Sequence, residues 1–365
     1  MSGTGLEGVI VAETELSDVD GERGQLILRG WFIEDLVGRH TFEDVCALLW
    51  TGHLPESGER ERWRSRLGQA RREAFQLVPR LGNALSLPDG MDALRAALGH
   101  VQTSGNHEQD TLVLTAATAV FAAGWARLQT GYQPVEPDPS CSHATDYLRM
   151  VTGSTPAPAR VAGLDSYLCC VVDHGLNAST LAARVIASTG SDLVSAVVAG
   201  VGALKGPLHG GAPGPVLDML DAIGTGERAR SWLLTQLDSG QRIMGMGHRV
   251  YRVRDPRAAA LERAATKLEA SGLGGDRLGL ARIVERAAET LLAERHPNRQ
   301  LRANVEFYTA VLLEAVGIPR KLFSPTFAVS RVAGWCAHYE EQRRRGRLMR
   351  PLSKYVGSTP DAKSA

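Results

Sequence analysis

The sequence predicts a mainly α-helical fold that opens on a short β segment. Three observations carry this. Apolar residues recur at three-to-four spacing through most of the chain, as in Phe42, Val45, Cys46, Leu48 and Leu49. Two uncharged runs, 111–126 and 193–204, are rich in Ala, Gly, Val, Ser and Thr, which lets helices pack closely. Only the first thirty residues read as strands.

In chain order, residues 9–14 and 25–28 read as strands around the turn-forming cluster 18–24. Helical patterns follow near 42–49, 92–98 and 111–128. The prolines Pro134, Pro137 and Pro139 mark 130–145 as a loop, and 153–158 is another. Helices resume at about Gly163, at 178–188 and at 193–204. Val216, Leu217, Met219, Leu220 and Ile223 mark the next one. Asp255 then caps a helix with Pro256 in its first position and 258–270 as its body. The segments 282–293, 304–316 and 325–342 complete the set. The tail from Gly357 is small, polar and expected to fray. No internal repeat is present.

At 365 residues the chain can bury a sizeable core in one large domain or two unequal ones. Its net charge of +1 gives no global field for nucleic acid or an anionic membrane, so anions must be bound by local arginines. The run 111–126 would span about 24 Å as a helix, short of the about 30 Å of a bilayer core, and is expected to be a buried packing helix. Five cysteines with no C-x-x-C pair argue against a disulfide framework or a zinc site and fit a reducing cytoplasm. Residues 1–7 lack a basic and then apolar stretch, so no secretory signal is expected.

Two histidines stand among glycines. His209 lies in Gly-Pro-Leu-His-Gly-Gly, where little crowds it and a ligand can approach the backbone. His248 lies in Gly245-Met-Gly247-His and is followed by Arg249, Arg252, Arg254 and Arg257. Arg257 falls in the first turn of the helix that Asp255 starts, where guanidinium and helix N-terminus both attract an anion. His174 precedes Gly-Leu-Asn177, and Asn177 is placed to cap the next helix. Arg331 shares a helix face with Phe327 and Trp335, so it needs a partner, either a protein acid or a bound carboxylate. Glu306, early in its helix, either favours the macrodipole or acts as a general base. Arg350, in a basic stretch, reads by itself as a surface residue. Two imidazoles, one carboxylate and several guanidinium groups suit proton transfer on a small polyanion.

Taken together, these segments resemble the citrate synthase family in its shorter bacterial form. The likeness runs from Gly5-Leu-Glu-Gly-Val9 through Asp173-His-Gly-Leu-Asn-Ala-Ser-Thr180, Leu204-Lys-Gly-Pro-Leu-His-Gly-Gly-Ala212 and residues 245–257 to Phe327-Ala-Val-Ser-Arg-Val-Ala-Gly-Trp335 and Met349-Arg-Pro351. The resemblance implies a helical homodimer, with a large domain of residues 1–211 and 311–365 and a small domain of 212–310 that closes over the substrates. It implies condensation of acetyl-CoA with oxaloacetate, with the acyl-CoA as co-substrate and neither a metal nor a permanently bound cofactor. His209 would stabilise the enol of the thioester, His248 would protonate the ketone oxygen, and Glu306 would be the base. His174, Arg257 and Arg331 would hold carboxylates, and Arg350 would reach into the neighbouring subunit. Arg252 would meet a CoA phosphate, and the backbone of Gly245 and Gly247 the adenine.

One departure stands out. The family's base is an aspartate in Asn-Val-Asp, whereas this chain has Asn304-Val-Glu306. The extra methylene moves the carboxylate by roughly 1.5 Å on a fixed backbone, and misplacement of about 1 Å can cost about a hundredfold in rate. A helix set slightly farther back would compensate. Propionyl-CoA in place of acetyl-CoA, as in 2-methylcitrate synthase, is the neighbouring alternative. A weakly active paralogue that binds CoA or a dicarboxylate for regulation is the alternative of another class.

Overall fold

The structure, a computed structural model, describes residues 5–6, 8–210, 213–248 and 250–358. Among the described residues 61% are helical, and there is one three-stranded sheet. The strands are β1 (Ser17–Asp20), β2 (Gln25–Leu28) and β3 (Trp31–Phe32), antiparallel in that order. The expected strand at 9–14 does not form. The partner of 25–28 is 17–20, in the register Ser17↔Leu28 and Asp20↔Gln25. Asp18, Val19 and Asp20, expected in the turn, belong to the strand, and the Asp20 Oδ1 accepts the N–H groups of Glu22 and Arg23. That local hydrogen bonding tightens the turn to four residues, Gly21 to Gly24.

The helices are α1 (Ile33–Leu36), α2 (Phe42–Thr51), α3 (Ser57–Phe75), α4 (Gly90–Leu98), α5 (His107–Gln129), α6 (His143–Thr152), α7 (Pro158–Val171) and α8 (Ala178–Ser188). They continue with α9 (Leu193–Leu204), α10 (Pro213–Ile223), α11 (Gly226–Asp238), α12 (Pro256–Ala270), α13 (Arg277–Arg295), α14 (Val305–Val316) and α15 (Phe323–Arg345). Their ends follow local chemistry. Thr41 and Asp44 form a reciprocal capping box on α2, Asn177 caps α8, and Asp255 caps α12 ahead of Pro256. Glycines in the left-handed region stop α2 at Gly52, α6 at Gly153 and α14 at Gly317.

The helix α5 is 23 residues long, so the run 111–126 belongs to a helix that could cross a bilayer by length. Length therefore does not decide its role. Burial does: 78% of its most apolar window is enclosed by the fold, which makes it a core helix. Beside it, α15 is buried along most of its length and packs on α5, α7, α8 and α9. Two glycines permit this. A Cβ at Gly200 of α9 would lie 2.8 Å from the Trp335 indole, and one at Gly334 would lie 2.4 Å from the Val172 carbonyl oxygen. The second approach brings Arg331 of α15 against the end of α7, just before His174. α12 packs on α7 and α14, so the starts of α12 and α14 meet beside that same end.

Candidate active site

Six side chains named from the sequence converge where these ends meet. His174 follows α7, His209 lies between α9 and α10, and His248 precedes α12. Arg257 is in the first turn of α12, Glu306 in that of α14, and Arg331 is midway along α15. The rings of His174 and His248 lie 5.6 Å apart. The guanidinium charges of Arg257 and Arg331 act on both His174 and Glu306, and the His209 and His248 rings lie near enough to His174 to affect its protonation.

Hydrogen bonds fix the protonation of the two glycine-flanked histidines. His248 Nδ1 accepts the N–H groups of Val250 (3.0 Å) and Tyr251 (3.2 Å). The neutral ring therefore carries its proton on Nε2, as a donor. His209 Nε2 accepts the Ser179 N–H at 3.3 Å and lies 2.8 Å from the Ser179 hydroxyl. That places the His209 proton on Nδ1. Trp335 Nε1 donates to the same hydroxyl (3.2 Å), so α15 braces Ser179 from behind. Burial, reinforced by Arg331 for His209 and by Arg257 for His248, pushes both rings down to about 4. Both are neutral donors at pH 7. His174 is pushed well below the usual histidine range by burial and then by Arg257, and its Nε2 meets the Tyr251 hydroxyl at 3.1 Å.

Glu306 is held differently. Its backbone N–H donates to the capping Asn304 Oδ1 (3.0 Å), but its own Oε2 is enclosed with no partner among the described residues. Burial raises its carboxyl to about 7 against the opposing pull of Arg257 and Arg331. A carboxylate balanced near neutrality, with one oxygen left without a hydrogen-bond donor among the described residues, is suited to taking a proton from carbon. Asn304 Nδ2 also donates to the Gly247 carbonyl (2.8 Å), and Gly247 N–H donates to the Arg302 carbonyl (2.7 Å). The glycine loop before His248 is thus stitched to the strip before Glu306. Gly245 (φ 73°) has to be glycine here, because a Cβ would lie 2.9 Å from the Phe307 side chain.

The arginines answer the question the sequence left open. Arg331, 1% exposed, donates Nε to the Val171 carbonyl (2.7 Å) and lies over the Phe327 ring at 4.7 Å. Among the described residues it has no ion pair, and burial pushes it down to about 10, still charged at neutral pH. Arg257 does have an acid. Asp255 Oδ1 takes its Nε (3.1 Å) and Oδ2 its Nη2 (2.8 Å). Asp255 Oδ2 also accepts the Val305 N–H, which ties α12 to α14. In the sequence Asp255 marks only a cap, and Ser179 and Tyr251 stand only inside longer motifs. Their roles depend on contacts distant in sequence.

Two named residues stand apart. Arg252 is exposed and 3.9 Å from Glu22. Arg350 is exposed in the extended segment after α15 and has no ion pair within its own chain among the described residues. Arg254 is taken up by Glu262 and Glu285, while Arg249, Gly211 and Ala212 lie outside the described residues. A cavity of about 430 Å³ between α2, α3, α5 and α15 shares no residue with this cluster. Its Arg29 and Arg345 are both held by Glu15, and its His107 by Glu340.

The family model for the citrate synthase C-terminal domain matches residues 5–352. The chain is 40% identical to the citrate synthase of Haloferax volcanii over 97% of this chain and 95% of that protein. It is 35% identical to the 2-methylcitrate synthase of Mycobacterium tuberculosis over 97% and 90%. Its fold superposes on the citrate synthase of Thermoplasma acidophilum, solved as a ternary complex with carboxymethyl coenzyme A and oxaloacetate, with a TM-score of 0.86 and 26% identity, covering 96% of this chain and 95% of that one.

Proposed function

The chain belongs to the citrate synthase family, and from that premise we propose that it condenses acetyl-CoA with oxaloacetate and hydrolyses the product to citrate and CoA. One observation supports this above the others: a carboxylate near neutrality, its Oε2 without a partner among the described residues, shares its site with two neutral imidazole donors and two guanidinium groups.

Each group has one task. Glu306 removes a proton from the thioester's α-carbon while His209 Nδ1–H donates to the thioester oxygen, giving an enol. The enol carbon bonds to the ketone carbon of oxaloacetate, the enol O–H proton returns to His209 Nδ1, and His248 Nε2–H passes its proton to the ketone oxygen. Water then cleaves the thioester, releasing CoA thiol and the third carboxylate of citrate. His174, Arg257 and Arg331 hold the carboxylates of oxaloacetate, with guanidinium forks suited to two-point contact. Arg252 meets a CoA phosphate, and the Gly245–Gly247 loop lies near the adenine. The acyl-CoA is a co-substrate, and no resident cofactor or metal takes part.

We read the assembly as a homodimer in which Arg350 completes the neighbouring site. Ser195, Val198, Ala199, Gly202 and Ala203 form a partly exposed face of small residues on α9. Leu352 and Val356, 95% and 88% exposed, lie on the segment that carries Arg350. Both surfaces suit burial against a second copy. The domain division is 1–211 with 311–365, and 212–310.

The test is oxaloacetate-dependent thiol release from acetyl-CoA and, separately, propionyl-CoA. Release from acetyl-CoA is expected. Faster release from propionyl-CoA would move the assignment to 2-methylcitrate synthase, a relative at 35% identity. No release from either would refute the reading.

A further inference from the structure

The N-terminal sheet grips both sides of the histidine pair. On one side, Ser17 of β1 donates its hydroxyl to Asp173, the residue before His174, and accepts the Gly175 N–H at 3.0 Å. Val19 of the same strand packs at Gly175, where a Cβ would lie 3.2 Å from it. Asp173 is fully buried, and its other oxygen takes His338 Nε2 at 3.2 Å. His174 is thus held from both flanking positions by one strand.

On the other side, the turn after β1 lies against the segment that follows His248. The Arg252 N–H donates to the Gly21 carbonyl at 2.8 Å. A Cβ at Gly21 would fall 2.2 Å from the Val250 carbonyl oxygen, and one at Gly24 would fall 2.5 Å from the Val253 side chain. Val250 and Tyr251 supply the N–H groups that hold His248 Nδ1. Gly21 therefore governs how closely the hairpin can seat on the residues that orient this imidazole.

We propose that the β1–β2 hairpin is a two-sided clamp that sets the spacing of His174 and His248, with Ser17 and Gly21 as its positioning residues. The clamp spans the boundary proposed between the large and small domains, so one rigid hairpin references both halves of the oxaloacetate site to each other. Four residues suffice because β1 reaches His174 with its strand and His248 with its turn. The proposal rests on reading both histidines as oxaloacetate ligands.

Gly21→Ala tests the close approach, because Gly21 is not in the left-handed region and the added methyl acts through contact alone. Ser17→Ala removes the grip on Asp173 and Gly175, while Ser17→Thr keeps the hydroxyl. Arg23→Ala, in the same turn with a side chain 77% exposed, is the control. Two readouts are taken on the full-length protein: KM for each substrate, and the titration of the His248 imidazole by NMR. Gly21→Ala and Ser17→Ala are expected to raise KM for oxaloacetate by about tenfold, with KM for the acyl-CoA within about twofold. Ser17→Thr and Arg23→Ala should match the parent. The groups facing His248 are Arg257 and Asp255 from α12, His174 and Tyr251, and none of them is altered. A shift of its titration in Gly21→Ala toward the ordinary histidine range then reports loosened burial. Two results overturn the clamp. One is parental oxaloacetate KM and His248 titration in both variants. The other is an equal rise in both KM values with a lowered Tm and no rescue by Ser17→Thr. A parent that turns over no oxaloacetate refutes the proposed function instead, and the imidazole titration still decides the clamp.

Discussion

At Glu306, the proposed base, the burial that would tune it also costs stability, and the two effects can be separated by pH. The carboxyl is raised to about 7, above its ordinary value of 4.5, so the folded protein holds this proton more tightly than the unfolded chain. Its contribution is full below about pH 4.5 and is lost as pH rises to about 7. Glu306→Gln removes a buried charge, and we expect it to be more stable than the parent by about 3 kcal/mol at pH 8, with the gain vanishing near pH 4.5. Its turnover should fall by about a thousandfold, because only the ionised form abstracts the proton. For the parent, kcat/KM should fall as pH drops through about 7. Denaturant melts at the two pH values, together with thiol release, check both halves. A variant equal to the parent in turnover would remove Glu306 from the chemistry.

Among the elements, the starts of α12 and α14 act as one unit through Asp255. Its carboxylate takes the Arg257 N–H, the Arg257 guanidinium and the Val305 N–H. Asp255→Asn keeps the shape and the cap but leaves Arg257 without its buried counter-charge. We expect unfolding free energy to drop by about 3 kcal/mol. The charge of Asp255 also raises the Glu306 carboxyl. Its loss should therefore move the acid limb of kcat/KM below pH 7, and an unchanged limb would show that the two helix starts are uncoupled. These helices were legible in the sequence because Asp255-Pro256 and Asn304 announce their starts and apolar spacing fills their bodies. α3 was not, since over 19 residues it buries only Leu67, Gly68, Ala70, Arg71 and Ala74 and carries a charged surface on the rest. α11 escaped for the same reason, burying only Ala229 and Leu233. β1 escaped because Ser-Asp-Val-Asp has almost no apolar alternation. What places it is pairing with β2 and the Ser17 contact to Asp173, 156 residues away. The site follows the same division. Its residue types stand in the local motifs, whereas the Ser179 contact that sets the His209 tautomer crosses 30 residues and has no local signature.

For the whole molecule the decisive residue is Arg350, which its own fold leaves exposed and unpaired among the described residues. Every other proposed carboxylate ligand is supplied by the cluster of His174, Arg257 and Arg331, in which both guanidinium charges help keep the His174 imidazole neutral. If Arg350 serves the neighbouring subunit, a site needs Glu306 from one copy and Arg350 from the other. Arg350→Ala should then raise KM for oxaloacetate by about tenfold or more while the dimer and its Tm stay as in the parent, because a solvent-facing side chain contributes little to folding. Subunit mixing gives the sharper test. In a heterodimer of Arg350→Ala with Glu306→Gln, one site carries both defects and the other carries neither. Two poorly active homodimers, unfolded and refolded together, should therefore regain up to about a quarter of the parental activity, since half the dimers are mixed and each has one intact site. If Arg350 instead acts within its own subunit, every site keeps one defect and mixing restores nothing.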